Sequence, residues 1–304
     1  MSRAVVFSAF GGTDVLEVVE VPVPEVGPGQ VRVRVQAAGV QPFDARYRAG
    51  WFDPYVPAQF PQGLGSEFAG VVDEVGPGTE VQPGAEVIGW VWQAAYADYV
   101  VVGADDVVPK PDGMPWAEAG ALSASGQTAH TALDELGVDR GDTLLVHAAA
   151  GGVGTMAVQL ARADGATVIG TASKRNHDYL RAFGVTPVAY GDGLVDRVRA
   201  LAPLGVDVVL DCHGGDEAID TSVALVSDRK RIGTLSAYGR ANELGIQLIG
   251  TKRSKERLGD LTARYTAGTL RVVVDHTYPL AEVAQAHAQV EAGHVRGKVV
   301  LTVG

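Results

Sequence analysis

Apolar positions change their period as the chain passes residue 120. Before it they fall in short Val-rich runs that partly alternate with polar residues, at 4–7, 16–21, 30–38, 67–75, 86–91 and 97–102. Period-two alternation predicts half-buried strands, and Pro22, Pro24, Pro28, Pro77 and Pro83 between the runs predict turns. A β-barrel-like domain is expected over residues 1–120. From about Trp116 the rhythm is different. Apolar runs at 143–148, 167–172, 187–190, 206–211, 229–235 and 246–250 predict strands, and helical spacing appears between them, as at 153–164, 175–183 and 193–202. Such alternation implies parallel strands with right-handed crossovers. A helix over 253–267, a strand at 270–278, a helix at 280–291 and a strand at 298–303 do not continue that alternation. They are expected to return and complete the first domain, which gives 1–120 with 268–304 as one domain and 121–267 as the other.

The run Leu144–Val146 ends in a glycine turn, and apolar residues then recur at helical spacing at Val153, Met156, Ala157 and Leu160. Ala149-x-Gly151-x-x-Gly154 occupies the three positions of a dinucleotide-binding fingerprint, with Gly152 and Val153 between the last two. Gly151 would let backbone approach a pyrophosphate, and Gly154 would let helix and strand pack closely. The helix N-terminus would supply N–H groups and a positive dipole to the phosphates. At the end of the next strand an acid would bond the 2′-hydroxyl of NAD. Here the chain reads Ser173-Lys174-Arg175-Asn176-His177. A hydroxyl, a guanidinium and an imidazole suit a 2′-phosphate, so Ser173, Arg175 and His177 point to NADPH. Ser236, at the end of the fifth strand, is a candidate on the nicotinamide side.

Composition narrows the picture. With 46% hydrophobic and 20% charged residues among 304, the chain reads as globular. A net charge of −11 argues against nucleic acid or an anionic membrane as partner. One cysteine, Cys212, excludes an internal disulfide framework, and Met1–Phe7 is too short for the apolar stretch of a signal peptide. A cytoplasmic protein is expected. Trp51, Phe52, Tyr55, Trp90, Trp92 and Tyr96 are grouped closely enough to wall a cleft for a flat ligand, or to pack as barrel core.

Gly39-Val-Gln-Pro-Phe-Asp44, the stretch Phe60–Val72, Ala124-Ser-Gly-Gln-Thr-Ala129, His147–Gly154 and Gly297-Lys-Val-Val-Leu301, in this order, resemble the zinc-independent quinone oxidoreductase branch of the medium-chain dehydrogenase/reductase superfamily. The resemblance covers essentially the whole chain. It implies an α/β protein, a GroES-like β-barrel domain plus a Rossmann doubly wound parallel-sheet domain, and a homodimer, with 246–250 as an edge strand available for pairing. Zinc alcohol dehydrogenases of the same superfamily carry Cys where this chain has Gln41, and Gly-His-Glu where it has Gly65-Ser66-Glu67. No set of ligands for zinc remains. The expected chemistry is hydride transfer from NADPH to a small-molecule quinone or conjugated enone, without metal.

By the same resemblance Gln41, usually Asn in relatives, lies beside the nicotinamide ribose or substrate. Thr128 contacts the carboxamide, and Tyr190 lies near the adenosine 2′-phosphate. Lys298 is either a family feature of the site or one half of a salt bridge. Enoyl-thioester reductases of the superfamily place a proton-donating tyrosine where this chain has Phe52; Tyr47 and Tyr55 stand nearby. An enoyl-thioester reductase and a non-catalytic NADPH-binding protein stay open as alternatives.

Overall fold

A computed structural model describes all 304 residues, and they form two compact units. The first comprises Met1–Ala124, Ser254–Ala263 and Val272–Gly304; the second comprises Ser125–Arg253 and Arg264–Arg271.

The first unit begins with β1 (Ser2–Phe7), β2 (Glu17–Val21), β3 (Gln30–Val40), helix α1 (Pro42–Arg48), β4 (Gln62–Gly63), β5 (Glu67–Val75), β6 (Glu86–Trp90), β7 (Tyr99–Gly103), β8 (Val107–Pro109) and the short helix α2 (Trp116–Ala119). Alternating Val residues of β3 bury Val31, Val33 and Val35 on one face, with Phe7, Phe68, Val87 and Val100 in the same core. The sequence pattern did not reveal α1. Gln41 is its N-cap, Pro42 fills a first-turn position where no N–H is needed, and Asp44 accepts from the Gln41 N–H at 2.9 Å.

Across the second unit run α3 (Ser123–Glu135), β9 (Thr143–His147), α4 (Gly152–Ala163), β10 (Thr167–Thr171), α5 (His177–Arg181), β11 (Thr186–Val188), α6 (Leu194–Leu201), β12 (Val208–Asp211), α7 (Asp216–Leu225), β13 (Ile232–Thr234), α8 (Tyr238–Leu244) and β14 (Gln247–Leu248). The six strands are parallel in the order β11-β10-β9-β12-β13-β14. Strand order reverses between β9 and β12, where ligands of such sheets bind. Several expected strands are shorter than their apolar runs. The run 229–235 opens as a 3₁₀ turn, Arg229–Arg231, and 246–250 keeps only two strand residues.

Helix α9 (Lys255–Thr266), β15 (Val274–Pro279), α10 (Val283–Glu291) and β16 (Lys298–Thr302) close the chain. β16 pairs antiparallel with β3, with Val299 opposite Val40, and parallel with β15. No helix is long and apolar enough to cross a membrane.

Candidate active site

In the second unit the apolar run Leu144–Val146 is wholly buried between neighbouring strands, as a parallel sheet demands. It delivers the turn Ala148–Gly151 to the N-terminus of α4, with Gly151 as N-cap. A Cβ on Gly154 would stand 2.4 Å from the Ala148 carbonyl oxygen and 2.8 Å from Ala149 Cα, so only glycine allows this approach of helix to turn. A Cβ on Gly151 would meet nothing nearer than 3.4 Å within the protein. The room above Gly151 is therefore available to a ligand. Ala149 at the first fingerprint position packs against Gly170 of β10, where a Cβ would come within 2.7 Å of it. Gly152 and Val153, half-buried, open the helix. These features fit a dinucleotide phosphate held by α4.

β10 ends at Thr171, and Ser173 caps the 3₁₀ turn Lys174–Asn176 that leads into α5. Arg175 is exposed, Ser173 and His177 are half-buried, and His177 Nε2 is buried with no hydrogen-bond partner. Tyr190 lies two residues beyond β11 rather than at its end, and is solvent-facing. Ser236 likewise lies two residues beyond β13, where its N–H reaches Thr234 Oγ1 at 3.3 Å. Thr128 sits within α3, with its hydroxyl 2.6 Å from that of Thr251.

In the first unit Gln41 is bound into a buried polar network. Its side-chain amide donates to Glu67 Oε1, which also receives Lys298 Nζ at 2.9 Å, while Glu67 Oε2 accepts from the Ala124 N–H at 2.6 Å. Glu67 and Lys298 are both buried, so Lys298 is one half of an internal salt bridge. Asp44, also buried, receives Tyr96 at 2.7 Å and Gln93 at 3.4 Å. Burial pushes the Asp44 carboxyl up, against the opposing effect of those hydrogen bonds.

The expected aromatic wall divides. Trp51 is 69%, Tyr55 83% and Trp92 56% exposed, and Trp90 ends β6 half-buried. Phe52 stacks on Phe43 with ring centroids 4.7 Å apart, and Trp92 stands 5.9 Å from Phe43. Phe43, missed in the sequence because α1 was missed, is thus the centre of the group. Tyr96 leaves the wall: it is buried, and burial and Asp44 hold its hydroxyl well above the usual range. Tyr47 is buried too, its hydroxyl 3.4 Å from Gln62 Oε1 and its pKa raised by burial and then by Asp53. A phenol so enclosed packs the barrel.

Fold and site together define a two-unit α/β protein that pairs a β-barrel with a doubly wound nucleotide-binding sheet. Residues 27–112 match the alcohol dehydrogenase GroES-like domain, and residues 183–301 match the zinc-binding dehydrogenase domain. The chain is 32% identical to the synaptic vesicle membrane protein VAT-1 homolog of Rattus norvegicus, over 99% of this chain and 84% of that protein. It is also 32% identical to a quinone oxidoreductase of Pseudomonas aeruginosa, over 99% of both. The crystal structure of Escherichia coli quinone oxidoreductase complexed with NADPH is similar with a TM-score of 0.88 and 26% identity, over 99% of this chain and 100% of that one. The chain belongs to the zinc-independent quinone oxidoreductase branch of the medium-chain dehydrogenase/reductase superfamily.

One matched domain is named for zinc, but this chain lacks a donor set for the metal. Gln41 offers an amide, and the two carboxylates beside it are committed, Glu67 to Gln41, Lys298 and the Ala124 N–H, and Asp44 to the Gln41 N–H, Tyr96 and Gln93. No three His, Cys, Asp or Glu side chains converge anywhere in the chain. Zinc binding needs such convergence. The residues do not fit the metal.

Proposed function

We propose that this protein is an NADPH-dependent reductase that transfers hydride, without metal, to a small-molecule quinone or α,β-unsaturated carbonyl. The observation that carries this reading is the join of two features in one sheet. A glycine-locked turn opens α4 at the strand-order reversal, and the adjacent β10 is followed by Ser173, Arg175 and His177 rather than a carboxylate.

When bound, NADPH would supply the hydride from its nicotinamide ring. The N–H groups at the start of α4, from Gly152 to Gly154, hold the diphosphate. Ser173, Arg175 and His177 hold the 2′-phosphate, with Tyr190 against the adenosine. Gln41, Thr128 and Ser236 address the nicotinamide half. Glu67 fixes the Gln41 amide in one orientation, because it takes one of its N–H groups. Trp51, Phe52, Tyr55, Trp90 and Trp92, with Phe43, present flat apolar faces to the acceptor. With Tyr47 packed in the barrel, the proton for the reduced acceptor comes from solvent.

Membership in this family and the single cysteine support a cytoplasmic homodimer. The outer strand β14, with Leu248 exposed, is the edge available for pairing across a two-fold.

The test is a fluorescence titration with NADPH and NADH, with and without EDTA. Tight NADPH binding, weak NADH binding and no effect of EDTA are expected. Equal affinity for the two cofactors would remove the 2′-phosphate assignment.

A further inference from the structure

A parallel sheet covered on both faces has an apolar interior, yet one rung of this sheet is polar across four strands. Thr171, His147, Asp211 and Thr234 are all buried, at the carboxyl ends of β10, β9, β12 and β13. Asp211 pairs in register with His147 on one side and Thr234 on the other. Thr171 follows directly on the Gly170–Val146 pair. Four buried polar groups in a row cost folding free energy unless their hydrogen bonds do something with the backbone around them.

Those bonds go to loops. Asp211 accepts from the His213 N–H at 2.9 Å, from the Gly214 N–H at 3.0 Å and from Thr234 Oγ1 at 2.6 Å. Thr234, having given its proton to Asp211, accepts from the Ser236 N–H at 3.3 Å and the Ala237 N–H at 3.1 Å. The loops after β12 and β13 are thereby tied to one carboxylate. They also touch: a Cβ on Gly214 would stand 2.6 Å from Ser236 Cβ. At the other end of the rung Thr171 Oγ1 accepts from the Ala148 N–H at 3.1 Å. Ala148 is a non-glycine residue at φ 53°, a left-handed conformation that needs such support. Thr171 Oγ1 also lies 3.4 Å from His147 Nδ1, and His147 Nε2 is buried without a protein partner.

A dinucleotide straddles the reversal point of such a sheet, one nucleotide over each half. With the proposed 2′-phosphate residues after β10, the adenosine half would fall to the β10–β11 side and the nicotinamide half to the β12–β13 side. We infer that Asp211 and Thr234 are positioning residues for the nicotinamide half of the cofactor, latching the loops Cys212–Gly215 and Leu235–Ala237 into one arrangement. Thr171 does the same for the turn under the diphosphate. Asp211 itself touches no ligand; it acts through the loops it holds.

The inference rests on the NADPH reading, and calorimetric titration of the full chain with NADP⁺ and with adenosine 2′,5′-bisphosphate separates the two. Wild-type protein that binds neither molecule would overturn both. If the latch works as described, Asp211→Asn and Thr234→Val weaken NADP⁺ by about tenfold while the bisphosphate changes by less than about twofold, and Thr234→Ser restores NADP⁺ affinity. A variant that lost both ligands in parallel would be a folding defect of the sheet, and that result would overturn the inference, as would variants indistinguishable from wild type with NADP⁺. Thr234→Ser keeps the hydroxyl and serves as the folded control should Asp211→Asn fail to accumulate.

Discussion

Lys298 Nζ lies 2.9 Å from a Glu67 oxygen, and neither side chain reaches solvent. Breaking a buried pair from one side strands a charge, at a cost of about 3–5 kcal/mol. Lys298→Met should therefore lower the stability of the first unit by about that much, and adding Glu67→Gln should recover most of it. Denaturant unfolding of the single and double variants measures both. The same pair bears on reading sequence: Gly65-Ser66-Glu67 shows that a metal ligand is missing, but nothing local says that a lysine more than two hundred residues away takes up the carboxylate. Arg175 is the opposite case: it stands in the turn that follows β10, and the fingerprint before it is enough to propose a 2′-phosphate role for it. Ser173→Ala with Arg175→Ala should raise KM for NADPH by roughly one to two orders of magnitude and leave KM for NADH nearly unchanged. Loss of both in parallel would contradict the 2′-phosphate assignment.

At the scale of elements, the junction β9–turn–α4 is set by one close approach. Gly154→Ala places a methyl group 2.4 Å from the Ala148 carbonyl oxygen, so α4 must shift away from the turn. Cofactor affinity should fall by more than tenfold, whereas Gly151→Ala, with its nearest protein neighbour at 3.4 Å, should leave the fold intact and act on the ligand alone. Thermal melts with and without NADPH distinguish the two. The parallel strands were legible because apolar runs between glycine turns have few other solutions. Helix α1 was not: Gln41, Pro42 and Asp44 form its capping arrangement, but seven residues with Phe43 and Tyr47 on the inner side are too few to show a helical period. Missing α1 hid Phe43, and with it the centre of the aromatic group. The ends of β11 and β13 were placed too late for the same kind of reason. Apolar residues continue past the last ladder hydrogen bond, which left Tyr190 and Ser236 on loops.

Over the whole molecule, each unit carries one deeply buried histidine that resists protonation. Burial lowers His147 to about 4 in the second unit. Burial and the Arg48 guanidinium lower His287 to about 3 in the first. Unfolded, both would titrate near 6.5. The unfolded chain therefore binds more protons below that value, and stability falls as pH drops from about 6.5 towards 4, by about 1.4 kcal/mol per pH unit for each histidine. Asp44, with its raised pKa, works the other way in the first unit at the acid end. Unfolding midpoints followed from pH 7 to pH 4 should show this slope, and His147→Gln should flatten it in the second unit. The central claim, however, concerns chemistry. It is tested most directly by the loss of absorbance at 340 nm when NADPH is offered with 9,10-phenanthrenequinone, 1,4-benzoquinone, 2-cyclohexenone or crotonyl-CoA. Turnover with a quinone or the enone, slower with NADH and indifferent to EDTA, is the predicted result. Tight binding of NADPH with no oxidation by any of the four acceptors would contradict it and leave a cofactor-binding protein without reductase activity.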